Sequence, residues 1–270
     1  MTQSTPPEGG TTNELKDRGA AGKASVKIAY EYRGEGTGLF QRCCWNMGRF
    51  LSKIISMVLF GLRVQGRENI PATGPVLMIT NHQSFLDPWL IGIKLGRQVH
   101  YMARHTLFKG GILGWVMEVL NCYPVKRGAA DLQAIRITIE RLNQGRLVNI
   151  FPEGTRSTDG TISPLAPGMT LILHRAQASL QIVPVVIEGA FEAWPRRNKF
   201  PHPHPIGMAY GKPIPAAELK GLKPEEIAMQ LRMRLVELQE QLQSPHAAES
   251  RRRYDEDAAK PLEPSRRRGR

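Results

Sequence analysis

Cysteine is scarce in this chain of 270 residues, which has only Cys43, Cys44 and Cys122. So few, so scattered, they supply neither a disulfide framework nor the ligand spacing of a zinc site, and they fit a reducing setting. Long apolar runs are also lacking. The uncharged stretch over residues 54–62 falls far short of the roughly 20 residues that a membrane-spanning helix needs. Residues 1–38 hold no apolar core segment, so a cleavable signal peptide is not expected. No internal repeat is present. Acidic side chains are in deficit, with 24 Asp and Glu against 37 Lys and Arg and a net charge of +13. Such an excess calls for an anionic partner, whether membrane surface, nucleic acid or an acidic protein. Nucleic acid is the poorest fit, because no basic strand interleaved with aromatics and no zinc spacing accompanies the charge.

What remains is an ordinary globular composition, 41% hydrophobic, long enough for one sizeable core. Residues 1–38 are rich in Thr, Pro, Glu, Gly and Lys without periodicity and read as a disordered tail. Residues 39–62 differ. Leu39, Phe40, Trp45, Met47, Phe50, Leu51, Ile54, Ile55, Val58 and Leu59 recur at largely helical spacing, interspersed with Arg42, Arg49 and Lys53. An amphipathic helix of this kind suits the headgroup layer of a membrane, or the face of a sheet. Residues 63–244 carry the folded domain. Residues 245–270, with arginine runs at 251–253 and 266–268, read as a disordered basic tail able to approach anionic lipid.

Within 63–244, short apolar runs alternate with helical patterns. Strands are expected at 62–66, 75–80, 99–103, 123–125, 147–150, 182–187 and 206–210. Helices are expected at 88–95, 110–120, 131–144 (ended by Gly145), 168–178 and 224–243. This alternation predicts an α/β fold with a mostly parallel central sheet flanked by helices.

Two loops follow buried strands and concentrate reactive side chains. The first is Asn81-His82-Gln83-Ser84-Phe85-Leu86-Asp87, after the strand at 75–80. Asp87 lies five residues beyond His82, at the opening of a helix, so the chain can fold back and bring the carboxylate to one imidazole nitrogen. The other nitrogen is then a proton acceptor of fixed tautomer. The second is Phe151-Pro152-Glu153-Gly154-Thr155-Arg156-Ser157, after the strand at 147–150. It places an acid, a glycine, a hydroxyl and a guanidinium in one loop, a mixture suited to an anionic, hydroxylated ligand.

Together these loops resemble the signature of the glycerolipid acyltransferases, the 1-acylglycerol-3-phosphate acyltransferases: Asn-His-x4-Asp followed by Phe-Pro-Glu-Gly-Thr-Arg-Ser. The resemblance spans residues 60–215. It implies that His82 is the general base, held by Asp87, and that the substrate hydroxyl attacks an acyl thioester directly. Ser84 invites a serine-nucleophile reading, but it lacks the Gly-x-Ser-x-Gly turn that presents such a residue. Arg156 is implied as the ligand of the acceptor phosphate, a group that guanidinium binds with paired hydrogen bonds. Arg127, in Pro124-Val125-Lys126-Arg127-Gly128, matches the arginine of an intermediate motif and is implied as a second phosphate ligand. Gly154 lets backbone approach a ligand, Thr155 adds a hydroxyl, and Glu153 shapes the loop or bonds an acceptor hydroxyl. Pro184 matches an apolar motif in a strand, where proline belongs at an edge or bulge. Where relatives often carry lysine after an alanine, this chain has Arg104.

The implied reaction moves an acyl chain from acyl-CoA or acyl-carrier protein to the sn-2 hydroxyl of lysophosphatidic acid, giving phosphatidic acid. Another lysolipid or glycerol 3-phosphate is the alternative acceptor. A basic membrane-binding protein without activity is the alternative outside enzymes. No metal or organic cofactor is implied, since the thioester is already activated. The expected place is the cytoplasmic face of the inner membrane, bound peripherally or monotopically at anionic lipid.

Overall fold

The computed structural model describes residues 39–108, 117, 121–125, 132–166 and 168–260. Arg127, both expected disordered ends up to residue 38 and from 261, and most of the helix expected over 110–120 lie outside the described residues.

One sheet organises the domain. Its strands are β1 (Arg63–Gln65), β2 (Val76–Thr80), β3 (Val99–Arg104), β4 (Cys122–Val125), β5 (Leu147–Ile150), β6 (Gln181–Glu188), β7 (Gly207–Tyr210) and β8 (Ile214–Pro215). The order across the sheet is β1-β7-β6-β2-β5-β3-β4, with β8 beside β6. All pairings are parallel except those of β6 with β7 and β8. The helices are α1 (Leu39–Phe60), α2 (Asp87–Ile93), α3 (Leu132–Asn143), α4 (Gly168–Arg175), the single turn α5 (Ala190–Ala193), α6 (Pro224–Gln241) and α7 (Ala247–Ala258).

Parallel strands covered on both faces should be apolar at every position, and β2 is buried throughout. Its residues divide by pleat between two cores. Leu77 and Ile79 join Val148, Ile150, Ile182 and Val186 beneath α3, α4 and α6. Val76 and Met78 join Val183, Val185 and Ile187 against α2. Gly145, at φ +74°, adopts the left-handed turn expected to end α3.

Pro184 corrects an expectation. It lies in β6, an interior strand, opposite Ile79 of β2. The odd positions Gln181 and Val185 bond toward β2, whereas the Leu180 and Pro184 carbonyls accept from Ala216 and Gly211 on the other side. The donor that Pro184 lacks therefore faces away from β2. There the partner strand changes from β8, paired at 181–182, to β7, paired at 185–188. Proline is tolerated in the middle of the sheet because the ladder is already interrupted at that point.

The C-terminal region is a second correction. Residues 247–258 form α7 rather than a disordered tail. Its polar sequence hides an inward face of Ala247, Ser250 and Tyr254 at spacings of three and four, all buried. Arg253–Glu249 and Arg252–Glu256 pairs lace its outer face.

Helix α1 buries Ser56 and Phe60 and leaves Met47, Phe50, Ile54, Met57 and Val58 exposed. It is tied to α2 by a hydrogen bond from Trp89 Nε1 to Ser52 Oγ (3.1 Å) and by edge-on packing of Phe60 against Trp89. Among the described residues, no helix is long and apolar enough to cross a membrane.

Candidate active site

Strands β2 and β5 are parallel neighbours, with Met78 opposite Asn149 and Ile79 opposite Ile150. The loops that leave their C-terminal ends therefore emerge side by side, where parallel sheets place their ligands. This topology brings residues 81–87 and 151–157 together although some seventy residues separate them.

Asn81 anchors the first loop. Its side chain donates to the Ile187 carbonyl (2.9 Å) and accepts from the Ile187 N–H (2.8 Å), clasping the end of β2 to β6. The chain then turns so that Asp87, the buried first residue of α2, faces back toward His82. Asp87 Oδ2 lies 2.7 Å from His82 Nδ1 and accepts the N–H groups of Gln83 and Ser84, each at 2.7 Å. A carboxylate only accepts, so the neutral imidazole carries its proton on Nδ1 and its lone pair on Nε2. The ring stacks on Phe151 with centroids 4.1 Å apart, and the His82 side chain remains 14% exposed, enough for a substrate to reach it. Ser84 points elsewhere. Its hydroxyl donates to the Trp194 carbonyl (3.1 Å), and the residue is buried.

The second loop is bolted to the first through Glu153. One carboxylate oxygen accepts the His82 N–H (2.8 Å) and the other accepts the Ser163 N–H (2.9 Å). Burial pushes the Glu153 carboxyl up to about 7, while the two amides pull against that shift. Of the two roles expected for Glu153, the geometry supplies the shaping of the loop. The Ser157 N–H closes the junction by donating to the His82 carbonyl at 2.7 Å. Gly154 takes φ +72° with nothing within 4 Å of where a Cβ would stand. Its glycine answers to the left-handed backbone, and the space beside it is open. Thr155 is exposed next to it.

The Arg156 guanidinium lies over the Phe85 ring at 3.6 Å, and that ring in turn meets Trp194 at 5.4 Å. The expected phosphate ligand is thus held against the His82 loop by an aromatic side chain. Phe85 is an exposed aromatic inside the first motif, and its variable position there gives no sign of the contact. Gln83 is another residue whose part was not anticipated: its amide donates to the Gly160 carbonyl (2.9 Å) and to Glu188 (3.3 Å) behind the site. Phe151, beneath the imidazole, is legible only as a position of the second motif.

Behind the second loop, α7 acts as a buttress. Arg253 pairs with Asp159 at 2.9 Å, and Ser250 Oγ accepts the Ile162 N–H at 3.1 Å. Burial raises the Asp159 carboxyl, but hydrogen bonds donated by the Thr161 N–H and hydroxyl, and then the Arg253 guanidinium, outweigh it and hold the group at about 2.

The chain is similar to known proteins in sequence and in fold. A family model described as Acyltransferase matches residues 61–188. The 1-acyl-sn-glycerol-3-phosphate acyltransferase of Bacillus subtilis is 31% identical over 138 residues, covering 51% of this chain and 67% of that one. The chloroplastic 1-acyl-sn-glycerol-3-phosphate acyltransferase BAT2 of Brassica napus is 29% identical over 164 residues, covering 58% of this chain and 47% of its own length. The chain thus spans about half the length of the chloroplastic relatives it matches. The crystal structure of the LPA acyltransferase PlsC from Thermotoga maritima superimposes with a TM-score of 0.59 at 24% identity, over 80% of each chain. At that identity the likeness speaks for a shared fold.

Proposed function

This chain belongs to the acyltransferase family of the 1-acyl-sn-glycerol-3-phosphate acyltransferases, and on that premise we propose that it transfers a fatty acyl group from a thioester to the free hydroxyl of 1-acyl-sn-glycerol 3-phosphate. The observation that carries the reading is the 2.7 Å bond between Asp87 and His82 Nδ1, which leaves Nε2 as the acceptor at a partly open surface.

In the proposed step, His82 Nε2 takes the proton of the acceptor hydroxyl as its oxygen attacks the thioester carbonyl. Asp87 steadies the imidazolium that forms. Collapse of the tetrahedral intermediate breaks the carbon–sulfur bond, and the imidazolium returns its proton to the departing thiolate. The products are an ester and a free thiol, with no acyl-enzyme. This fits Ser84, whose hydroxyl is turned to the Trp194 carbonyl.

Arg156 is the proposed partner of the acceptor phosphate, and the open space at Gly154 and Thr155 is where the glycerol backbone would lie. The donor is acyl-CoA or acyl-carrier protein; the net charge of +13 favours either anionic carrier. The exposed apolar side of α1, joined to α2 through Trp89, is proposed to rest in the headgroup layer of the cytoplasmic face of the membrane.

The test is a product assay with purified full-length protein, both donors and a panel of acceptors. The reading expects phosphatidic acid from 1-acyl-sn-glycerol 3-phosphate. It fails if a phosphate-free acceptor is acylated as fast, or if the phosphate-bearing one is not acylated at all.

A further inference from the structure

A second side-chain cluster lies behind the reactive loops, on the far side of Gln83. Glu188 ends β6, Glu192 lies in α5, and His246 immediately precedes α7. One ligand-capable atom from each lies within 4.8 Å of the other two. His246 Nε2 is 2.7 Å from Glu192 Oε1 and 3.8 Å from Glu188 Oε1.

Glu188 is the informative member. It is only 7% exposed. Its Oε2 is fixed by the Gln83 amide (3.3 Å) and the Gln239 amide (3.0 Å), so the orientation of the carboxylate is set from behind. Its Oε1 faces His246 and makes no hydrogen bond of good geometry among the described residues, and neither does the buried Glu192 Oε2. Among the described residues no lysine or arginine forms an ion pair with either glutamate. The Ser244 side chain also lies against the Glu188 carboxylate.

Two carboxylates converge on one imidazole here, and the Glu188 side chain is buried, where uncompensated charge is costly. A divalent cation balances both. Two carboxylate oxygens and one imidazole nitrogen suit Zn²⁺ and its first-row neighbours; Ca²⁺ takes all-oxygen sets of six to eight, and Mg²⁺ keeps octahedral oxygens and waters. We propose that Glu188, Glu192 and His246 form a three-ligand site for Zn²⁺ or a like divalent transition cation, which fastens α7 to the end of β6. Gln83 and Gln239 are its outer supports, in the way that ligating carboxylates are commonly oriented. Gly160 makes room for the imidazole, since a Cβ there would stand 2.5 Å from the His246 ring. With a water as fourth ligand, the cation would fasten the helix and take no part in the acyl-transfer chemistry. It would hold the helix whose Ser250 and Arg253 brace residues 159–162.

The test uses full-length protein stripped with a chelator and dialysed, then titrated with ZnSO4 by calorimetry. The expected result is one equivalent bound, with affinity at least tenfold weaker in Glu192→Gln and in His246→Gln, and unchanged in His105→Gln, a histidine exposed directly after β3. Glu192 is the deciding variant because its side chain is 28% exposed, and circular dichroism of the variant checks that the fold is kept. Zn²⁺ at a hundredfold excess over its Kd should also raise the Tm of the unmodified protein by roughly 5 to 10 °C, and that of Glu192→Gln much less. The assignment is overturned if the stripped protein binds no stoichiometric Zn²⁺, or if Glu192→Gln binds it as tightly as the unmodified chain.

Discussion

The Arg156 guanidinium carbon stands 3.6 Å above the Phe85 ring, joining the two motif loops through one cation–π contact. Phe85 comes from the histidine loop and is 54% exposed, so it is not held there by a core. Its ring restricts where the guanidinium can point. Phe85→Leu should raise the KM for a phosphate-bearing acceptor about two- to fivefold, the size of an exposed cation–π contact, with kcat little changed. Initial-rate kinetics over a range of acceptor concentration would reveal this. A fall in kcat at unchanged KM would mean that Phe85 serves the chemistry and not the positioning of Arg156.

Glu153 should make stability depend on pH in an uncommon direction. Its folded carboxyl sits at about 7 because burial disfavours the charge, above the ordinary value near 4.3. Between these values the folded state binds the extra proton. Stability is therefore greatest below the lower value and declines as pH rises through the upper one, by up to about 3 kcal/mol. Urea unfolding of the unmodified protein at pH 5 and pH 8 should show the decline, and Glu153→Gln should lack this contribution. An equal decline in both proteins would assign it to other groups.

Helix α7 predicts a contrast between two of its neighbouring residues. Tyr254 is buried in the core beneath α6, whereas Arg252 makes only exposed pairs. Tyr254→Ala should cost about 3 kcal/mol and lower the Tm by roughly 6 to 12 °C. Arg252→Ala should shift it little. Scanning calorimetry of the two variants separates the cases, and a Tyr254→Ala protein melting with the unmodified one would show that α7 is not docked.

The exposed side of α1 predicts partition to lipid. Met57 and Val58 are 68% and 75% exposed. Placing both in an acyl boundary gains about 1.5 kcal/mol each at least, so Met57→Asp with Val58→Asp should weaken binding to anionic vesicles by roughly a hundredfold. Sedimentation with vesicles gives the partition coefficient. Unchanged binding in the double variant would move the contact to another surface.

Much of this arrangement is legible in the sequence. Strands such as 75–80 and 182–187 announce themselves because burial on both faces of a parallel sheet leaves them almost continuously apolar. The pairing of His82 with Asp87 follows from a five-residue return at the start of a helix. Other features were not legible, each for a physical reason. Sequence periodicity cannot show that the ladder beside Pro184 is interrupted, since the gap belongs to β7 and β8. Helix α7 is not legible because its docking depends on one tyrosine, two small residues and one ion pair with Asp159, some ninety positions away. The bond from the His82 N–H to Glu153 is a contact between two loops, and nothing in either motif states which oxygen meets which amide.

The claim that most depends on measurement is that His82 Nε2 removes the proton of the acceptor hydroxyl. Turnover of His82→Ala, with donor and acceptor saturating and folding verified by circular dichroism, addresses it directly. The expected kcat is lower by roughly a hundred- to ten-thousandfold, with thioester binding retained. A kcat within a few-fold of the unmodified enzyme would contradict it.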